Sequence, residues 1–178
     1  LITESDTNQD KLDREISQSL LNRHSEKLSE IVEMVTPILD HNPRKVIRFI
    51  NLYRLRALLA FRLGLLYMKG NEYGDESFSL PQLAKFVVIT LEWPQLVTQL
   101  SRRPETLYQL EQQAVSGEIE LPPAIEHWGV DDSLMDLLAY GIDTENKAES
   151  VYSFKRADIE RFLQVSPRTD QPTETEEE

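Results

Sequence analysis

Apolar residues return at helical spacing along most of this chain. After Ser25, which can cap a helix, Leu28, Ile31, Val32, Val35, Ile38 and Leu39 recur every three or four positions and predict an amphipathic helix. Pro37 lacks an N–H and crowds the preceding turn, so that helix is expected to kink or loosen near its end, before Asp40 and His41. Asn42 then reads as an N-cap and Pro43 as the first helical residue, where a missing donor costs nothing.

The helix that starts at Pro43 is expected to run to Lys69, with Gly70 ending it. Beyond Arg56 it is apolar almost all round, through Leu58, Leu59, Phe61, Leu63, Leu65, Leu66, Tyr67 and Met68. Such a helix should be buried among others, which makes it the expected core element. Asn71 to Phe78 reads as an exposed loop.

Ser79 and Pro81 open a further helix with Leu80, Leu83, Ala84, Val87, Val88 and Leu91 on its buried face. Trp93-Pro94 breaks it, a short helix follows through Leu96, Val97 and Leu100, and Pro104 restarts another that Gly117 stops. Glu118 to Pro123 is a connection in which Pro122-Pro123 argues against a strand. Asp131 or Asp132 caps a helix carrying Leu134, Leu137 and Leu138 and closed by Gly141, with Trp128 packing nearby; a last helix spans Asp158 to Val165.

At the N-terminal end, Leu12, Ile16 and Leu20 give Lys11 to Arg23 a thin apolar stripe that must lean on another surface, while residues 1–10 read as a linker. Residues 166–178 carry five acids against one arginine and no large apolar residue, so a disordered acidic tail is expected. The expected fold is thus all-α: an irregular multi-helix bundle over residues 11–165, around one long central helix.

Charge sharpens this picture in one place. The chain has a formal net charge of -12, yet no acid occurs between Pro43 and Lys69, where Arg44, Lys45, Arg48, Arg54, Arg56, Arg62 and Lys69 supply seven positive charges. At 100° per residue Arg48, Asn51, Arg62 and Lys69 all return to within about 40° of Arg44. Arg44, Arg48 and Asn51 therefore cluster on the first turns, where free N–H groups and the helix dipole also favour an anion. The bland alternative is that these arginines lock the corner to Asp40 or to other acids of the chain.

Other chemistry is excluded more readily. There is no cysteine, hence no disulfide, thiolate metal site or thiol nucleophile, which fits a reducing, cytoplasmic setting. His24, His41 and His127 have no metal-ligand spacing, and no apolar run is long enough to span a bilayer. A phosphate-binding GxxxxGK[ST] loop and a GxSxG elbow are both absent, and Asp131, Asp132 and Asp136 stand where a helix N-terminus favours acids. Catalysis by this chain alone is not expected. The first residue, Leu1, suggests a piece of a longer protein. Nucleic-acid binding through the basic helix is argued against by the net charge.

The run His41-Asn42-Pro43-Arg44-Lys45-Val46-Ile47-Arg48-Phe49-Ile50-Asn51 resembles the segment that follows the nucleotide-binding core of KAP-type P-loop NTPases. The later run from Leu83 to Pro94, ending Leu91-Glu92-Trp93-Pro94, looks like a downstream helix of the same proteins. This resemblance covers about Ser25 to Leu110. It implies a helical lid or regulatory region that couples the nucleotide state of an upstream core to conformational change. ATP and Mg would be held by that core, the partner in the same polypeptide, whose phosphate loop and magnesium ligand are missing here. The resemblance gives Arg44 a sensor-like role at the phosphates, with Arg48 and Asn51 supporting it. The alternative function is a stand-alone helical scaffold that binds a protein partner through an apolar groove.

Overall fold

The computed structural model describes residues 26–66, 78–117, 119–142, 150–154 and 159–165. The expected N-terminal linker and helix before Ser25, and the acidic tail, lie outside these residues, as does most of the loop between Asn71 and Phe78. In chain order the helices are α1 (Glu26–Val35), α2 (Pro43–Arg62), α3 (Leu80–Glu92), α4 (Pro94–Leu100), α5 (Glu105–Ser116), α6 (Asp132–Ala139) and α7 (Ile159–Gln164). A short 3-10 helix, Glu126–Trp128, precedes α6. Extended pairing among the described residues is one isolated parallel bridge, Leu66 with Phe78, so the fold is all-α.

Local chemistry sets most helix ends. The Asn42 side chain accepts hydrogen bonds from the backbone N–H groups of Arg44 and Lys45, with Pro43 behind it in the first turn of α2. Ser79 and Gln82 form a reciprocal capping box on α3. Asp131 caps α6 through the Leu134 N–H at 3.0 Å, and its other carboxylate oxygen accepts from Trp93 Nε1 at 2.7 Å. Gly117, at φ +67, ends α5 in the left-handed conformation that costs a residue without Cβ little.

The first helix loosens around Pro37 as expected, whereas the expected course of the central helix is corrected. Helix α1 ends at Val35, and the corner then turns through Asp40 and His41, successive residues with φ 56 and 52. The His41 N–H reaches back to the Thr36 carbonyl at 3.0 Å, closing the turn. Helix α2 ends at Arg62 rather than Lys69: Gly64 adopts φ +68, and the Leu65 N–H bonds the Ala60 carbonyl, so Gly64 is the stop that Gly70 was expected to be.

Nor is α2 the core. Its buried side is Phe49, Tyr53, Arg56, Ala57 and Ala60, while Leu55, Leu59 and Leu63 stay 55%, 42% and 57% exposed. The central element is α3, whose residues 82–89 are all buried. It packs against α1, α2, α4 and α6, and its far end carries a cluster of rings: Phe162 of α7 lies 4.3 Å from Phe78 and 4.9 Å from Phe86 between ring centroids, with Phe154 edge-on at 5.8 Å. Each such ring or branched side chain taken out of water contributes roughly 1.5–3 kcal/mol, so α3 and its neighbours carry most of the driving force for folding.

Candidate functional site

At the start of α2 the structure puts Arg44, Arg48 and Asn51 on the solvent side, all three exposed. The corner is locked by Lys45. Its Nζ stands 2.9 Å from Asp40 Oδ2 and 2.8 Å from Glu92 Oε2, which ties the turn and the start of α2 to the end of α3. Hydrogen bonds to the Glu92 and Asp40 carboxylates hold the Lys45 ammonium above its ordinary pKa. The alternative in which Arg44 and Arg48 pair with Asp40 is therefore corrected, because the neighbouring lysine occupies that carboxylate. Among the described residues neither arginine makes an ion pair.

The helix that presents these arginines is fixed at its root by the Asn42 cap, the Lys45 bridge and the burial of Phe49 and Tyr53, whose rings stack at 5.7 Å. Two always-charged, forked donors thus project from an ordered turn toward solvent, together with the Asn51 amide. Such a set can bind phosphate or carboxylate oxygens in pairs. No group of His, Cys, Asp and Glu among the described residues could hold a metal ion, and no helix among them is long and apolar enough to cross a membrane.

Three buried charged groups were not singled out by the sequence pattern. Arg56 is 1% exposed on the α2–α3 contact, where Nη1 donates to Thr90 Oγ1 at 2.9 Å and Nε and Nη2 find no hydrogen-bond partner among the described residues. Burial without a counter-charge lowers its pKa to about 10. On α3, Lys85 is fully buried and its Nζ donates to the Leu138 carbonyl at the end of α6, 2.8 Å away, while lying 5.8 Å from the centre of the Tyr152 ring. On α5, Glu111 is equally buried and accepts from Ser153 Oγ at 2.6 Å and from the Phe154 N–H at 2.9 Å.

Lys85 and Glu111 influence one another without forming an ion pair. Desolvation lowers the Lys85 pKa to about 7 against the opposing pull of Glu111. Burial raises Glu111, offset by its bonds from Ser153 and Phe154 and by the Lys85 charge. Gln82 also holds the Ser153 carbonyl, and Ser79 the Val151 carbonyl, so residues 150–154 form a strap pinned to α3 and α5 by polar side chains. The arrangement is a clasp that docks the strap onto α3 and α5.

One signal could have exposed Lys85: it is the only polar residue between Leu83 and Ile89, and a helix apolar on every side is buried. Nothing comparable marks Glu111, which stands between Leu110 and the polar pair Gln112-Gln113.

Comparison of the chain with known protein families, curated proteins and solved structures gives no match.

Proposed function

We propose that this chain is the helical lid or regulatory part of a KAP-like ATPase, closing on a nucleotide held by a core outside this sequence. Arg44 reaches the phosphates and Arg48 and Asn51 assist it. The observation that carries this reading is that Arg44 and Arg48 stand exposed on a firmly rooted helix and make no ion pair with any described residue, while Lys45 between them takes the structural role.

A lid that makes such contacts only when the nucleotide is present shifts the protein toward its closed state, which is how nucleotide state becomes conformational change. ATP and Mg belong to the core, and this chain supplies the switch. The second reading, a stand-alone helical scaffold for a protein partner, draws support from the exposed Leu55, Leu59 and Leu63.

The test is ATP binding and hydrolysis by the full-length protein, compared with Arg44→Ala at equal folded concentration. Charge-assisted bonds to a phosphate contribute roughly 1.5–3 kcal/mol, so affinity or turnover should fall about tenfold or more, with thermal stability nearly unchanged because Arg44 is exposed. A full-length protein that binds no nucleotide, or a variant that loses only stability, would remove the lid reading and leave the scaffold.

A further inference from the structure

The outer side of α2 sets apolar and cationic side chains next to one another. Leu55, Leu59 and Leu63 follow at four-residue spacing, each more than two-fifths exposed, and Leu63, the C-cap, keeps helical φ and ψ, so the row reaches the helix end. Arg48 and Arg62 are exposed with it. On a helical projection Arg48 falls within about 20° of both Leu55 and Leu59 and prolongs the row toward the helix start, while Arg62 borders it within about 60°.

Nothing inside the described fold neutralises these arginines. Helix α2 contains no acid, and its ion pairs among the described residues are those of Lys45. What covers this surface must therefore bring an apolar stripe at matching spacing with negative charge beside it.

A second copy pairing α2 on α2 does not, because about a two-fold axis the arginines of one helix meet those of the other with no acid between them. An anionic bilayer matches the charge but not the shape. A flat surface would meet far more of a chain whose net charge is -12, and the aromatic residues of α2 do not face it, Phe49 and Tyr53 being buried and Phe61 half-buried. A helix touches one narrow face, and a row at four-residue spacing is the ridge that another helix receives between its own rows.

We propose that the outer side of α2 docks a helix of a protein partner, one with an apolar stripe at four-residue spacing and aspartate or glutamate along its edges. Leu55, Leu59 and Leu63 supply the apolar contact, and Arg48 and Arg62 set the orientation and reject basic partners. The inference rests on the scaffold reading, whose partner it defines by chemistry, and it makes no use of Arg44.

Fluorescence anisotropy with the full chain and a labelled synthetic helix tests it. The probe has about 18 residues, with leucines four apart and glutamates on both sides of them; a matched probe carries lysine for each glutamate. The acidic probe should bind about tenfold more tightly than the basic one, and Leu59→Asp should weaken it about tenfold. Arg62→Glu should weaken the acidic probe roughly fivefold and tighten the basic one, with thermal unfolding of both variants close to wild type because Leu59 and Arg62 are exposed. A preference that reverses with the charge is a readout that a damaged fold does not give. Equal binding of the two probes would overturn the acidic partner and leave the scaffold reading standing, whereas binding of neither would remove both. Tighter association with phosphatidylglycerol vesicles than with the acidic probe, or a dimer in ultracentrifugation that Leu59→Asp dissociates, would overturn the proposal in favour of a membrane or a second copy.

Discussion

The buried lysine of the clasp makes a prediction whose size can be worked out. Lys85 has an ordinary pKa of 10.5 when solvated and about 7 in the fold, principally because burial disfavours its charge. Between those values the unfolded chain binds a proton that the folded chain has released. Stability must therefore rise with pH across that window, approaching 1.4 kcal/mol per pH unit. Integrated from pH 7 to about 9.5, the contribution is roughly 3 kcal/mol. Lys85→Met keeps the side chain's length and removes the titration, at the cost of leaving the Leu138 carbonyl without its donor, about 1–3 kcal/mol.

The difference between wild type and Lys85→Met should consequently move in favour of wild type by roughly 3 kcal/mol as pH rises through that range. Glu111 contributes little to that difference. Its folded pKa is raised by burial in wild type and variant alike, and the ammonium that opposes this in wild type is present only below about pH 7, so any further trend it adds falls on the acid side of the window. Tyr53 and Tyr152 are pushed up by burial and Lys45 by its carboxylates, so none of them titrates early enough to interfere. Urea unfolding followed by circular dichroism, at constant ionic strength, measures the difference at each pH. A difference that stays flat from pH 7 to about 9.5 would mean that Lys85 is solvated and that the clasp is drawn wrongly.

Two further substitutions test the helix corner and the α2–α3 contact. Asn42→Ala removes the side-chain acceptor for the Arg44 and Lys45 N–H groups and should cost about 1 kcal/mol in thermal or urea unfolding, whereas Asn42→Asp, which keeps an acceptor there, should cost little. Arg56→Met replaces a buried, partly unpaired guanidinium by an apolar chain of similar reach, and Thr90 keeps its bond to the Phe86 carbonyl. The variant should be more stable by roughly 1–3 kcal/mol, and a large loss would show that the guanidinium has a partner in solution.

What the sequence alone determined is what physics decides within about four residues. Asn42-Pro43, the Ser79–Gln82 box, Trp93-Pro94, Gly117 and Asp131 each saturate or break backbone hydrogen bonds nearby, so the helix starts and stops they mark, and the all-α class, were legible without a structure. The basic edge at Arg44 and Arg48 was legible for the same reason, because helical spacing alone places it.

Burial was not, because it depends on which distant surface arrives. The apolar pattern is nearly all-round in α3 and in the second half of α2, and only packing made α3 the centre and left Leu55, Leu59 and Leu63 outside. Gly70 was the stop the pattern offered, but the chain turned earlier, at Gly64, where Leu65 and Leu66 reverse onto Phe78. Lys45 rather than an arginine took Asp40, since only the tertiary fold brought Glu92 beside it. Lys85 and Glu111 meet across a separation in sequence that no local rule spans. Their charges, costly to desolvate, became tolerable once α6 and the strap supplied a carbonyl, a hydroxyl and an N–H in the right places.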